Sequence, residues 1–130
     1  MIGYVTLGAT DMEASLAFYD AVLATLGWKR FARHGDFAGY GPGGDGSGQT
    51  VWVCKPFDGE AAKAGNGVML AFNGESRGQV DALYAAAMAH GGADEGPPGL
   101  RDHYGPNWYA AYLRDPTGNK LAIVCTRPAD

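Results

Sequence analysis

The stretch Thr10-Asp11-Met12-Glu13-Ala14-Ser15-Leu16-Ala17-Phe18-Tyr19-Asp20-Ala21-Val22-Leu23-Ala24-Thr25-Leu26-Gly27 decides the fold once it is set beside Ser76-Arg77-Gly78-Gln79-Val80-Asp81-Ala82-Leu83-Tyr84-Ala85-Ala86-Ala87-Met88-Ala89-His90-Gly91-Gly92. In the first, Leu16, Tyr19, Val22, Leu23 and Leu26 recur at helical spacing, Thr10 to Glu13 reads as a capping box, and Gly27 stops the run. In the second, Val80, Leu83, Tyr84 and Ala87 form one stripe, Ser76 to Gln79 reads as another capping box, and Gly91-Gly92 ends it. The spacing predicts helices over 11–26 and 77–90. Their caps, Thr10 and Ser76, lie 66 positions apart in a chain of 130 residues. A short apolar strand precedes each helix and several strand-like runs follow it, which is a two-fold repeat of about half the chain.

Working outward, the strand-like runs are Ile2 to Leu7, Trp28 to Arg33, Phe37 to Tyr40 and Thr50 to Cys54 in the first half. In the second they are Val68 to Phe72, a weak run at Asp94 to Pro97, Asn107 to Arg114 and Lys120 to Cys125. Each half reads β-α-β-β-β. Asp115-Pro116-Thr117-Gly118-Asn119 is turn chemistry joining the last two strands into a hairpin, and the Pro- and Gly-bearing run at Asp94 can at best be an edge. The predicted fold is α+β, one domain over 1–130 with modules at about 1–60 and 61–130.

Composition narrows the function. The chain is 46% hydrophobic and 18% charged, enough apolar side chain for a core and too little charge for disorder. One domain of roughly 100 to 200 residues is expected. Ten Lys and Arg against fourteen Asp and Glu, with no basic block, supply no phosphate-neutralising footprint, so nucleic acid is excluded as a partner. No apolar run reaches the roughly 18 to 20 residues of a membrane span, and MIGYVTLGATD has no signal-peptide pattern, so no membrane association and a cytoplasmic location are expected. Cys54 and Cys125 each sit in an apolar run and read as buried free thiols rather than a disulfide framework. Gly41 to Gly48 reads as a flexible loop; it lacks the Gly-Lys-Ser/Thr of a phosphate cradle and no helix follows it.

Three features together carry a resemblance: an opening strand followed by Asp11-Met12-Glu13-Ala14-Ser15-Leu16-Ala17-Phe18-Tyr19, two β-α-β-β-β halves, and the late Arg114-Asp115-Pro116-Thr117-Gly118-Asn119-Lys120-Leu121. Over nearly its whole length the chain resembles the vicinal oxygen chelate superfamily, which includes glyoxalase I, bleomycin resistance proteins, extradiol dioxygenases and fosfomycin resistance enzymes. The resemblance implies a cup of sheet with helices outside, and in many members a divalent metal held by His, Gln or Glu from inward-facing strand positions. It also implies a homodimer, to which three Trp, seven Tyr and five Phe in 13.6 kDa add a physical hint, being many to bury in one small core. The superfamily runs many chemistries on one scaffold, and some members only bind, so no single activity follows.

Side chains alternate faces along a strand, so the cup lining can be read directly. Val5 and Leu7, Val51 and Val53, Val68, Leu70 and Phe72, and Leu121 and Ile123 are the helix-facing sets. That leaves Tyr4 and Thr6, Trp52 and Cys54, Gly67, Met69 and Ala71, and Ala122 and Val124 for the cup. The metal positions implied by the resemblance fall on Tyr4, Trp52, Met69 (or Gly67) and Ala122. None is a His, Gln or carboxylate, so no metal and no other cofactor is expected, and an aromatic, apolar lining remains.

Other chemistry is sparse. His34, His90 and His103 have no metal-ligand spacing; His34 reads as a turn residue and His90 as a helix-end residue. Cys54 faces inward, but a thiol in apolar surroundings is inert. The segment Arg101-Asp102-His103-Tyr104-Gly105-Pro106-Asn107-Trp108-Tyr109 gathers a cation, an imidazole, an amide and several aromatics on loop and strand. It reads either as a cup rim, with His103 and Tyr109 as polar contacts, or as sheet aromatics with Arg101 and Asp102 solvated. The leading expectation is therefore a metal-free binder of a small organic ligand through Tyr4, Trp52, Met69, His103 and Tyr109. The alternative is a lyase, isomerase or dioxygenase-type enzyme using His103 and Tyr109 or a recruited divalent metal.

Overall fold

The computed structural model describes residues 2–129. The elements follow in the order β1 (Tyr4–Gly8), α1 (Met12–Ala24), β2 (Lys29–His34), β3 (Phe37–Gly41), β4 (Thr50–Cys54), β5 (Met69–Asn73), α2 (Arg77–Ala89), β6 (Ala93–Leu100), β7 (Tyr109–Arg114) and β8 (Lys120–Cys125). They build two four-stranded mixed sheets of identical topology, β1-β4-β3-β2 and β5-β8-β7-β6. In each, the first strand runs parallel to the last strand of its module and the remaining pairs are antiparallel. The predicted α+β fold of two βαβββ units is observed, with each helix on the face opposite the cup. No helix among the described residues is long and apolar enough to cross a membrane.

Alternation explains the packing. Leu7, Ala38, Tyr40, Val51 and Val53 of the first sheet and Phe72, Ala111, Leu113, Leu121 and Ile123 of the second are buried in a single cluster with Leu16, Phe18, Tyr19, Val22 and Leu23 of α1 and Val80, Leu83 and Ala87 of α2. One core thus joins the helix-facing sides of both sheets through the two helices, which also pack on each other. The modules are also tied by polar groups. The Tyr19 hydroxyl donates to Asp115 Oδ2, and Asn119 Nδ2 donates to the same oxygen and to the Gly8 carbonyl. Asp115 Oδ1 accepts from the backbone N–H groups of Thr117, Gly118 and Asn119, closing the predicted hairpin turn. Asp115 and Asn119 are buried, so this turn is satisfied inside the protein.

Four local expectations change. The N-cap of α1 is Asp11, whose carboxylate accepts from the Ala14 N–H, because the Thr10 N–H is drawn across to Thr117 Oγ1 and its hydroxyl to the Ala62 carbonyl. Ser76 caps α2 as expected, while Gln79 reaches back to the Glu75 N–H rather than to the cap itself. The weak run at Asp94 is a full eight-residue edge strand. Its register shifts on either side of Gly96 absorb Pro97 and Pro98, which an edge tolerates because no further strand needs their N–H groups. Val68 precedes β5 and is exposed rather than helix-facing.

Candidate binding cup

The first sheet carries a cavity of about 870 Å³ on the face opposite α1, lined by Tyr4, Thr6, Phe31, Asp36, Phe37, Gly46, Trp52, Cys54, Lys55 and Phe57, among others. This size suits an organic ligand. Its floor is an aromatic trio. Trp52 lies edge-on to Phe31, with centroids 5.3 Å apart, and tilted against Phe37 at 5.7 Å.

Local sequence explains how the trio forms. Arg30 bonds Asp20 and Arg33 bonds Glu13, so both arginines reach back to α1 although three positions separate them. Strict alternation would send them to opposite faces. A bulge between Arg30 and Ala32 supplies the extra residue, and it is this that turns Phe31 onto Trp52. Gly39 sits beneath: a Cβ there would lie 2.7 Å from Phe31 Cζ and 2.9 Å from the Trp52 indole. Phe31 and Trp52 therefore meet over the sheet at this point only because position 39 has no side chain. The glycine loop has a role here too, since a Cβ on Gly46 would lie 3.1 Å from Phe31 Cε1.

The polar groups at this cavity are few. Thr6 lies on its wall beside the Cys54 thiol, which burial pushes up from its ordinary pKa and so keeps neutral. Asp36 and Lys55 stand at its margin, with the Lys55 N–H donating to the Asp36 carbonyl.

Of the residues picked out by sequence, Tyr4 and Trp52 share this cavity. The others lie elsewhere. Met69 borders a separate hollow with Asn66, Arg114 and Lys120 on the second sheet. His103 is exposed and stacks on Tyr104 at 4.1 Å, and Tyr104 in turn tilts against Trp108 at 5.7 Å. Tyr109 belongs to the helix side of β7: its hydroxyl donates to Asp81 of α2 at 2.7 Å, and Arg77 lies over its ring. That hydrogen bond, and secondly burial, raise its pKa. The Tyr109 hydroxyl thus serves α2, and no contact joins it to His103. His90 is a helix-end residue as expected, its Nδ1 within 2.8 Å of the Ala86 carbonyl.

Phe31, Phe37 and Asp36 were not among the sequence candidates, whereas Lys55 and Phe57 belong to a loop that the sequence reads as framing the cup mouth. Alternation from the buried Ala38 and Tyr40 identifies Phe37 as a cup residue. Phe31 is hidden from that argument by the bulge.

The positions where relatives of this scaffold hold a divalent metal do not fit one here. Tyr4 and Trp52 are on one sheet, Met69 and Ala122 on the other, and Ala122 is buried. Together they offer one phenol and one thioether. Among the described residues no group of three or more His, Cys, Asp or Glu converges on a point. Hard and borderline divalent ions need such a set.

The second sheet presents a different wall. Tyr112 faces away from the helices, with Arg101 Cζ 5.5 Å and Lys120 Nζ 5.9 Å from its ring centroid, and its hydroxyl lies 3.4 Å from Trp108 Nε1. Arg101 is held in place by the carbonyls of Gly99 and Pro97, so it is packed rather than solvated.

Comparison with known proteins places this architecture. A glyoxalase/bleomycin resistance protein from Albidiferax ferrireducens is 40% identical, with 98% of this chain and 99% of that chain covered and a TM-score of 0.85. A glyoxalase-related enzyme from Fulvimarina pelagi is 25% identical, covering 96% and 87% of the two chains at a TM-score of 0.74. A lactoylglutathione lyase from Agrobacterium tumefaciens shares the fold at 24% identity, covering 96% and 92%, with a TM-score of 0.61. No functionally curated protein matches the chain. The sequence profile of one family matches residues 1–123, and with it the chain belongs to the Glyoxalase/Bleomycin resistance protein/Dioxygenase superfamily.

Proposed function

We propose that this chain is a small-molecule-binding member of its superfamily that works in the cytoplasm without a catalytic metal, taking a planar apolar ligand in the cup of its first sheet. One observation carries the reading. Trp52, Phe31, Phe37, Tyr4 and Phe57 converge on one cavity in which no metal-ligating set stands beside them. Such a surface stacks and wraps a ring system and offers little to polarise its oxygens.

A second copy of the chain closes the cup. One edge of each sheet, β1 with sequence YVTLG and β5 with MLAFN, carries no charge, proline or covering helix to blunt it, whereas the opposite edges β2 and β6 carry charged residues. Ile2, Tyr4, Val68 and Met69 are large exposed apolar side chains at those same edges. A cleft of about 420 Å³ lined by Ile2, Val5, Leu26, Trp28, Leu70 and Phe72 runs between them. The cavity at Trp52 is walled by first-sheet residues and the segments joined to them, and two-fold pairing that brings β1 beside the partner's β5 supplies the opposite wall twice over.

The test is a fluorescence titration of purified protein with a naphthalene-based probe. Binding that quenches tryptophan emission and that weakens by about tenfold in Trp52→Ala is expected, since a stacked indole contributes about 1 kcal/mol or more. Unaltered affinity in that variant sinks the aromatic cup. Close to one Zn, Ni, Fe or Mn per chain in protein purified without an affinity tag, lost in Tyr4→Phe, overturns the metal-free part.

A further inference from the structure

Resting on the paired-cup reading above, we infer that the ligand is a planar aromatic acid, with its ring on the Trp52 wall of one chain and its anionic group on Lys120 and Arg101 of the other.

The argument starts from charge placement. On the outward face of the second sheet, Arg114 is neutralised by Glu95 at 3.0 Å. Lys120 and Arg101 pair with no carboxylate among the described residues. Both are half-buried and both are fixed against the Tyr112 ring, Arg101 additionally by two backbone carbonyls. What sets this pair apart is that both cations lie against one ring, that of Tyr112, in a chain of net charge -4. A pre-organised guanidinium and an ammonium flanking one aromatic ring form a receptor for a compact anion.

The ring on this face is already covered by the two cations, and Ala110 and Ala122 are small and buried, so this wall is cationic where the first sheet is aromatic. The two walls are complementary halves of a site for an amphipathic molecule. The first sheet, with Asp36 and Lys55 both at its margin, shows no comparable excess of one sign. Within one chain the Trp52 cavity and the Lys120 hollow are separate and share no lining residue, so the pairing brings the two walls together across two chains.

Naphthoate, its neutral isostere naphthamide and the cation naphthylmethylammonium are titrated into the full-length protein. Naphthoate is expected to bind about tenfold or more tightly than naphthamide, with the cation weakest, as charge-assisted hydrogen bonds predict. Lys120→Met, which keeps the stem over Tyr112, should bring the naphthoate-to-naphthamide ratio close to unity, and Trp52→Ala should weaken both by a similar factor. Arg101→Gln serves as the second variant. A ratio near unity in the wild-type protein, or one that survives both Lys120→Met and Arg101→Gln, overturns the acid-specific inference while leaving aromatic binding intact. Failure of all three compounds to bind overturns the aromatic cup itself.

Mixing the Trp52→Ala and Lys120→Met chains after dissociation tests the placement in trans. Random pairing regenerates an intact cup at roughly one site in four, detectable as a recovered high-affinity fraction for naphthoate. A mixture that behaves as the mean of its two components overturns the assignment of the cations to the partner chain.

Discussion

At Asp115 a single carboxylate organises its turn and joins the modules. It accepts from three backbone N–H groups, from Asn119 and from the Tyr19 hydroxyl. Tyr19→Phe deletes only the last of these, and should cost about 2 kcal/mol in urea denaturation, the usual worth of a hydrogen bond to a charged group. Burial above all, then the Asp115 charge and hydrogen bond, hold the Tyr19 phenol well above its ordinary value of 10.0. Burial and Asp20 likewise raise Tyr40, whose hydroxyl donates to Asp20 Oδ1. The sign follows from linkage: both phenols stay protonated in the folded chain when the unfolded chain would ionise, so their contribution is complete below pH 10 and is lost as pH rises above it. Stability should therefore fall on the alkaline side by up to about 1.4 kcal/mol per pH unit for each phenol. Either Tyr→Phe variant should flatten that slope, as followed by denaturant midpoints across the alkaline range. At Gly39 the effect of a side chain is felt in the cup. Gly39→Ala drives its methyl into Phe31 and Trp52. Because these are the ends of side chains on an open wall, they can swing away. Stability should drop by about 1 kcal/mol, the low end for overpacking, while probe affinity falls and tryptophan emission shifts.

Among the elements, the free edges carry the strongest expectation. Ile2 and Val68 are exposed at the approaches to β1 and β5. Ile2→Asp together with Val68→Asp places charge where two uncharged edges would meet, and should convert the protein to a monomer in sedimentation velocity without changing its circular dichroism. A parent protein that is itself monomeric at micromolar concentration contradicts the pairing. Element order, both helices and the hairpin at Asp115 were legible in the sequence, because helical stripes, capping residues and turn chemistry are local signals. Less local features were not. The bulge at Phe31 shows only in the paired register of β2 and β3, and the cap falls on Asp11 because Thr10 is bound by Thr117, 107 positions from it. Tyr109 was misplaced for a related reason: alternation needs an anchor, and β7 supplies one only once Ala111 and Leu113 are seen buried against α2. Trp52 and Tyr4 were legible as residues of the face away from α1 because Val51, Val53 and Leu7 give their strands unambiguous anchors.

For the molecule as a whole, the shared core has a consequence for how the chain can be divided. The connection over residues 55–68 is exposed for most of its length and contributes no strand to either sheet. Its severance leaves the helix pair, the Tyr19–Asp115 bond and the Asn119–Gly8 bond in place. Limited trypsin digestion, with Lys63 exposed, should therefore yield two fragments that co-elute as one folded species under native conditions and separate only in denaturant. Neither fragment made alone can cover the apolar surface that the other would bury, so each should be insoluble or unfolded until its counterpart is added. Reassembly of the nicked protein gains an association step that the intact chain lacks, and its melting temperature should then rise more steeply with protein concentration than that of the intact protein.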